Sequence, residues 1–352
     1  MYKKQIIKQR LADIRRRMKT GGISALLLTS PANVTYLSGF LGEDSWLLVV
    51  ANSAYLITDS RYTEQAGKEC HGCKIIERTG PMPPVIINVL KKYKSIRSLA
   101  VESSISMTAS KALKKSIKKK IKPVTGLVED ARRTKTDDEV KVIKLSAQIA
   151  SQALKTAIKK MKPGITESEL AGLIEYNMRK LGARPAFDTI VAFGPNASRP
   201  HHQSGQRKLK KKDTVLIDFG ARFNGYCSDM TRCFSVGKPV KLYGKVYKAV
   251  LDAQTAAIAA VKPGASLKSV DQAARKVIRA HGFTPHGHGT GHGLGLDVHE
   301  SPTVGLLSKG KLRTGDVITI EPGIYIPGKL GVRIEDDVLV TKTIAKILTK
   351  GL

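Results

Sequence analysis

Four of the chain's eight histidines fall between positions 286 and 299, in the stretch HGHGTGHGLGLDVHE (His286–Glu300). Imidazoles gathered at this density can ligate a cation or move protons near neutral pH. Glycine occupies 287, 289, 291, 293 and 295, so the stretch has a period of two. An extended segment would therefore present His286, His288 and His292 on one face. The opposite face would carry no side chains, which suits close backbone packing or the approach of a ligand. A lone histidine is most often a satisfied core or surface residue, but this grouping favours a site.

Carboxylates decide what such histidines serve. Asp218 lies in the apolar run Val215-Leu216-Ile217-Asp218-Phe219, where an unpaired charge is costly. Asn224-Gly225 is a hairpin turn signal, and a two-residue loop there pairs position 220 with 229. Asp229 then falls opposite Gly220, on the face that Asp218 occupies. Like charges this close require a cation or a shared proton. The arrangement recurs downstream: Glu321 lies in VITIEPGIYI, read as one strand, and a turn near Pro327–Gly331 would return Val332-Arg333-Ile334-Glu335 nearly opposite it. Any one buried acid could equally be half of a structural salt bridge. Four acids in two hairpins, beside a histidine cluster, point to oxygen-rich ligation of two divalent cations.

The elements that must position these residues are duplicated. ALKTAIKKMKPGIT (153–166) matches AQTAAIAAVKPGAS (253–266), and RKLG (179–182) matches RAHG (279–282), both at an offset of 100. DTVLIDFG (213–220) matches DVITIEPG (316–323) at 103. Each half reads helix, KPG break, helix, then a strand bearing a central carboxylate. Two related halves would bring Asp218 and Glu321 to equivalent places about a pseudo-twofold axis, with a site between them. The first long helix opens on a capping box, Thr136 with Glu139, and runs in apolar steps to Lys162-Pro163-Gly164.

Upstream, a basic helix over 1–20, the strands SALLLTS, SWLLVV, AYLITDSRY, CKIIERT and SLAVES, and helices at PPVIINVLKKY and 105–120 interleave. This is a small α/β domain of about 125 residues without a phosphate-binding glycine loop, suited to covering a site or contacting a second copy. At 352 residues the chain should hold two domains. Lysine and arginine exceed the acids by 31, but the densest run, KALKKSIKKKIK at 111–122, spaces Leu113, Ile117 and Ile121 as an amphipathic surface helix does. No aromatic residue interleaves with it, so a solvated basic face is expected, with weak polyanion attraction and no specific nucleic-acid role. Cys70 and Cys73 have redox or half-zinc-site spacing, yet no second CxxC completes them; with Cys227 and Cys233 they are expected to be unpaired thiols. No run suits a membrane span or signal peptide, which leads us to expect a cytoplasmic protein.

The set IDFG…GYCSDMTR, HGTGHGLGLDVHE, TIEPGIYIP and GVRIEDD, with NVTYLSGF upstream, resembles the pita-bread metallopeptidases, in the branch of Xaa-Pro aminopeptidases and prolidases. The resemblance implies an α/β creatinase-like N-terminal domain (1–130) followed by an α+β pita-bread catalytic domain (131–352) with internal pseudo-twofold duplication. It implies five metal ligands, Asp218, Asp229, His292, Glu321 and Glu335, holding two divalent ions, with Asp229 and Glu335 bridging; manganese is the first expectation, and cobalt, iron or zinc suit the same donors. It places His201, His288 and His299 near the substrate and Arg333 beside the ligand pair, although Arg199 replaces a leucine of the family and His202 adjoins His201. The main expected activity is an Xaa-Pro aminopeptidase using a water acidified between the metals, with Glu321 as proton shuttle and His288 and His299 on the carbonyl or oxyanion. The alternative is an Xaa-Pro dipeptidase (prolidase), and the rival from another class is a non-catalytic basic binding module. Expected partners are a proline-containing peptide and a second copy of the chain, with no membrane.

Overall fold

The computed structural model describes residues 4–350. The chain divides into one unit ending at Arg132 and one beginning at Arg133. In the first, α1 (Lys4–Thr20) buries Ile7, Leu11, Ile14 and Met18 at steps of three and four. Six strands form one mixed sheet: β1 (Ala25–Leu28), β2 (Trp46–Val50), β3 (Ala54–Asp59), β4 (Lys74–Arg78), β5 (Ser98–Glu102) and β6 (Lys120–Val124), in the order β4-β3-β2-β1-β5-β6. β1 and β3 are buried along their whole length, as continuous apolar runs in the middle of a covered sheet should be. The connections carry α2 (Pro31–Ser38), α3 (Thr63–Glu69), α4 (Met82–Lys91) and α5 (Met107–Ser116).

The lysine run departs from the expected single helix. α5 stops at Ser116, Ile117 turns extended, and the rest becomes edge strand β6. Leu113 and Ile117 are buried, whereas Lys120, Lys122 and Pro123 are exposed. Lysine and proline on an edge strand discourage pairing with another chain. That role accounts for part of the charge without a ligand.

α6 (Glu129–Arg133) carries the chain into the second unit, which has two halves. The first comprises α7 (Asp137–Ala157), α8 (Glu167–Lys180), β7 (Arg184–Pro185), β8 (Ile190–Phe193), β9 (Thr214–Phe219), β10 (Ala221–Phe223), β11 (Tyr226–Cys227) and β12 (Met230–Ser235). The second comprises α9 (Lys241–Ala260), α10 (Leu267–Ala280), β13 (Gly291–Gly293), β14 (Glu300–Val304), β15 (Val317–Ile320), β16 (Gly323–Ile326), β17 (Leu330–Arg333), β18 (Asp336–Val340) and β19 (Ala345–Ile347). Each half has its own apolar core, where the helix pair packs on its strands. The duplication extends to backbone geometry. Gly164 and Gly264 both take positive φ, at 102° and 80°, in the turn after the first helix of each half, and Gly182 and Gly282, at 81° and 79°, are the left-handed residues that end the second.

α7 ends at Ala157 and tightens into a 3-10 turn over Ile158–Lys160, so it is shorter than its apolar spacing indicates. Among the described residues no helix is long and apolar enough to cross a membrane. Both Thr136 and Thr166 close capping boxes, with Glu139 and Glu169 reaching back. Thr136→Ala should lower unfolding stability by about 1 kcal/mol; an unchanged midpoint in urea, followed by circular dichroism, would contradict this.

Candidate metal centre

The first hairpin takes the register its turn dictates. Asn224 and Gly225 both have positive φ, 48° and 85°, the two-residue turn that matches strand twist. Phe223 pairs with Tyr226 and Arg222 with Cys227; beyond a gap in the ladder, Met230 pairs with Phe219 and Thr231 with Asp218. Asp229 thus lies opposite Gly220, as expected. A Cβ at Gly220 would come within 2.0 Å of the Ser228 carbonyl oxygen, so glycine alone permits this closure.

The second hairpin keeps its register across a break. β15 ends at Ile320, before Glu321-Pro322, and the chain resumes as β16 in a different sheet. The expected single strand over VITIEPGIYI is therefore two strands, and Glu321 stands at the join. Ile320 pairs with Asp336 and Gly323 with Arg333, which leaves Glu321 facing Glu335 across the break.

β13 carries His292 between β14 and β15. The glycine face serves backbone packing. A Cβ at Gly291 would lie 1.9 Å from the Thr319 carbonyl oxygen, at Gly293 2.3 Å from that of Ser301, and at Gly289 2.8 Å from that of Val304. On the other face His292 Nε2 lies 3.4 Å from Glu321 Oε1 and 3.7 Å from Asp229 Oδ2, and His288 Nδ1 lies 3.9 Å from Glu321 Oε2. His286 and His288 stack at 4.4 Å between centroids, and His299, exposed, stands edge-on to His292 at 4.3 Å. His292 Nδ1 is 3.0 Å from the Gly293 carbonyl. A carbonyl can only accept, so Nδ1 carries the proton and the Nε2 lone pair is left facing the carboxylates.

Arg333 ties the two hairpins together. Its Nη2 donates to Asp218 Oδ2 at 2.6 Å, its Nε to Thr231 Oγ1 at 2.9 Å and its Nη1 to Tyr325 OH at 2.8 Å. Thr231 Oγ1 in turn donates to Glu335 Oε2 at 2.6 Å. His288 Nδ1 donates to the Gly289 carbonyl at 2.7 Å, so its Nε2 accepts from Tyr325 OH at 3.1 Å. Both nitrogens of His288 are therefore engaged within the chain. Tyr325, Thr231 and Asp337, whose Oδ2 accepts from Asp229 N at 3.2 Å, escaped the sequence reading. Tyr325 could have been found as the residue facing Gly331 in the second hairpin; the other two resemble ordinary strand positions.

Electrostatics show what this cluster lacks. Burial, then the neighbouring acids, push Asp229 and Glu335 well above the usual carboxylate range, and Glu321 up to about 7. Burial holds His288 and His292 down to about 4, hence neutral. If ionised, four carboxylates against one guanidinium leave three unbalanced negative charges. Asp218 Oδ1 is buried with no hydrogen-bond partner among the described residues. Donor atoms of Asp229, His292 and Glu335 all lie within 4.8 Å of one another. Oxygen donors with one neutral imidazole, short of positive charge, fit divalent cations.

The arm over residues 193–205 separates two adjacent histidines. Glu167, fully buried at the start of α8, accepts from Phe193 N, His202 Nε2 and Asn196 Nδ2, each at 2.8 Å, and from Gly205 N at 3.1 Å. His202 is thus a structural tether. His201 is exposed, next to Pro200, whose carbonyl is 3.5 Å from Arg333 Nη1.

The model of metallopeptidase family M24 matches residues 141–342, and that of the creatinase/prolidase N-terminal domain matches residues 10–134. The chain belongs to metallopeptidase family M24. Within it, the chain falls in the Xaa-Pro aminopeptidase and prolidase branch, with a creatinase-type N-terminal domain and a pita-bread catalytic domain. It is 37% identical over 349 residues to an Xaa-Pro dipeptidase of Pyrococcus horikoshii, covering 98% of both chains. An Xaa-Pro dipeptidase structure from Bacillus anthracis superposes with a TM-score of 0.94 at 36% identity, covering 98% of both. An X-Pro aminopeptidase structure from Thermotoga maritima gives 0.89 at 36%, covering 96% of this chain and 98% of that one. These relatives favour a metallo-exopeptidase, and the dipeptidase alternative over the aminopeptidase that the sequence put first.

The tether on the M24 domain's first arm titrates. Burial alone would raise the Glu167 carboxyl, but its four donors outweigh burial and hold it below its ordinary value of 4.5. Its stabilisation is present above that ordinary value and is lost as pH falls through the lower folded value. Wild type should therefore lose more stability than Glu167→Gln between about pH 6 and about pH 3. Equal losses in chemical denaturation would refute this role.

Proposed function

We propose that this chain is a metal-dependent Xaa-Pro dipeptidase whose ligands are Asp218, Asp229, His292, Glu321 and Glu335. The observation that carries the chemistry is that donor atoms of Asp229, His292 and Glu335 lie within 4.8 Å of one another, with Glu321 3.4 Å from His292 and Asp218 held by Arg333. Two divalent cations, manganese first among those the donors suit, would supply an acidified water and counter-charge for a tetrahedral oxyanion.

The chain's own residues would do the rest. Asp229 and Glu335, whose donor atoms lie beside that of His292, would hold the cations together with Asp218 and Glu321. Glu321 would take a proton from the attacking water at one carboxylate oxygen and pass it to the leaving proline nitrogen. Arg333 orients Asp218 through its Nη2 hydrogen bond to Oδ2. His288 fixes the Tyr325 hydroxyl. Exposed His299 would donate to the substrate carbonyl, while His201 would close over the proline ring. Prolyl bonds need a dedicated site because the tertiary amide has no N–H.

A cavity of about 670 Å³ opens beside His288, lined among others by Gly289, Thr303, Leu306 and Lys309. None of the five ligands lines it, so the preference for dipeptides rests on the similarity to Xaa-Pro dipeptidases. A homodimer, a cytoplasmic location and weak polyanion attraction complete the reading.

Mass spectrometry of products from Ala-Pro and Ala-Pro-Ala, with manganese and with chelator, tests it. Metal-dependent cleavage of the dipeptide alone is expected. Release of Ala from the tripeptide would return the aminopeptidase reading, and cleavage of neither would favour the binding module. Asp229→Asn should lower metal-dependent turnover by more than the ~10- to 100-fold typical of an outer partner; near-wild-type activity refutes the ligand assignment.

A further inference from the structure

Asp271 and Arg275 sit one turn apart on the buried face of α10, outside every motif that marks the metal centre. Asp271 is fully buried and Arg275 nearly so. Arg275 Nε donates to Asp271 Oδ2 at 2.7 Å. Its other two nitrogens leave the helix: Nη1 donates to the His286 carbonyl at 2.7 Å and Nη2 to the His288 carbonyl at 2.6 Å. Asp271 Oδ1 accepts from Thr290 N at 3.2 Å and from Thr290 Oγ1 at 2.8 Å. The Thr290 carbonyl then accepts from Glu321 N at 2.8 Å. One buried ion pair thus grips three residues of the segment that carries His288 and reaches Glu321 through a single carbonyl.

Stability alone does not explain such a pair. Taking two charges out of water costs several kcal/mol per ion, and apolar residues of similar volume often serve as well. The related half lacks it: at the offset of 100, Ala171 and Glu175 stand where Asp271 and Arg275 would be. What the pair has that an apolar pair would lack is direction. It fixes the carbonyls of His286 and His288 in a glycine-rich segment that has few side chains of its own to hold it. The Gly289 carbonyl, which sets the His288 tautomer, lies between the gripped residues.

We propose that Asp271 and Arg275 are a positioning pair for the peptidase reaction. They hold the backbone of 286–290 so that His288 keeps its Nδ1 proton on Gly289 and its Nε2 on Tyr325. This rests on the functional reading above, in which His288 belongs to the site.

The test uses the full chain. Arg275→Met, His288→Ala and the double variant are assayed with manganese on Ala-Pro. Nitrogen-15 NMR of the histidine rings is recorded separately on metal-free protein. Arg275→Met should lower kcat about 10- to 100-fold, as outer-partner losses do, with KM changing less. In the His288→Ala background the same change should cost several-fold less, because the group it positions is gone. The His288 ring, assigned by its loss in His288→Ala, should show one tautomer in wild type and a mixture in Arg275→Met. Equal fold losses in both backgrounds with an unmixed tautomer would overturn the proposal. Should Arg275→Met not fold, Thr290→Val, which removes the Oγ1 bond to Asp271, enters the same cycle under the same criteria. If His288→Ala is itself fully active, or wild type cleaves neither peptide, the functional reading fails instead, and the tautomer alone decides for or against the pair.

Discussion

When they are ionised, mutual repulsion among Asp218, Asp229, Glu321 and Glu335 is the force the second unit must contain. Two of these acids sit on each hairpin, and of the two guanidiniums that span the hairpins Arg333 bonds a carboxylate of the cluster, whereas Arg232 bonds Asp336 and the Glu335 carbonyl. Arg333 answers part of the repulsion through Asp218 and passes order to Glu335 by way of Thr231. The remainder is borne by elements that cannot easily move apart. Each hairpin is backed by a pair of helices over its own apolar core. A cluster so held is preorganised: cations entering it meet donors already desolvated and oriented, so little reorganisation is left to oppose binding.

Rigidity of that kind is built from backbone as much as from side chains. Glycines 289, 291 and 293 let β13 approach its neighbours so closely that any Cβ would collide with a carbonyl. His292 is consequently placed by three strands at once. Buried acids then hold the two irregular arms, Glu167 by gathering backbone N–H groups of 193–205 and Asp271 by gathering Thr290 and Arg275. The two halves anchor their arms from different positions: at the offset of 100, Leu267 stands where Glu167 does and Ala171 where Asp271 does.

The sequence made much of this legible because hairpin register follows from turn chemistry. Asn224-Gly225 located Asp229 relative to Asp218, and the offset repeats located the second pair. The capping box at Thr136 and the break at Gly164 were equally local and equally readable. Where the reading fell short, the deciding contacts are distant in the chain. The strand through Glu321 breaks because its two ends join different sheets, which no local pattern announces. Lys120 and Lys122 continue a helical spacing yet form an edge strand, because β5 offers a free edge to pair with. His201 and His202 are indistinguishable until Glu167, more than thirty residues upstream, chooses one. Arg275 looks like any helical arginine on an amphipathic face.

The tight turn at Asn224-Gly225 has a consequence for how this protein can change over generations. Because Asp218 and Asp229 lie on either side of it, the loop's length is a coordinate of the active centre. Strand side chains alternate faces, so gaining or losing one residue there would rotate one carboxylate outward while leaving every ligand in the text of the sequence. Insertions should therefore be rarer in this exposed turn than its accessibility suggests. A relative that has lost activity could carry all five ligands and differ only in the spacing between the first two.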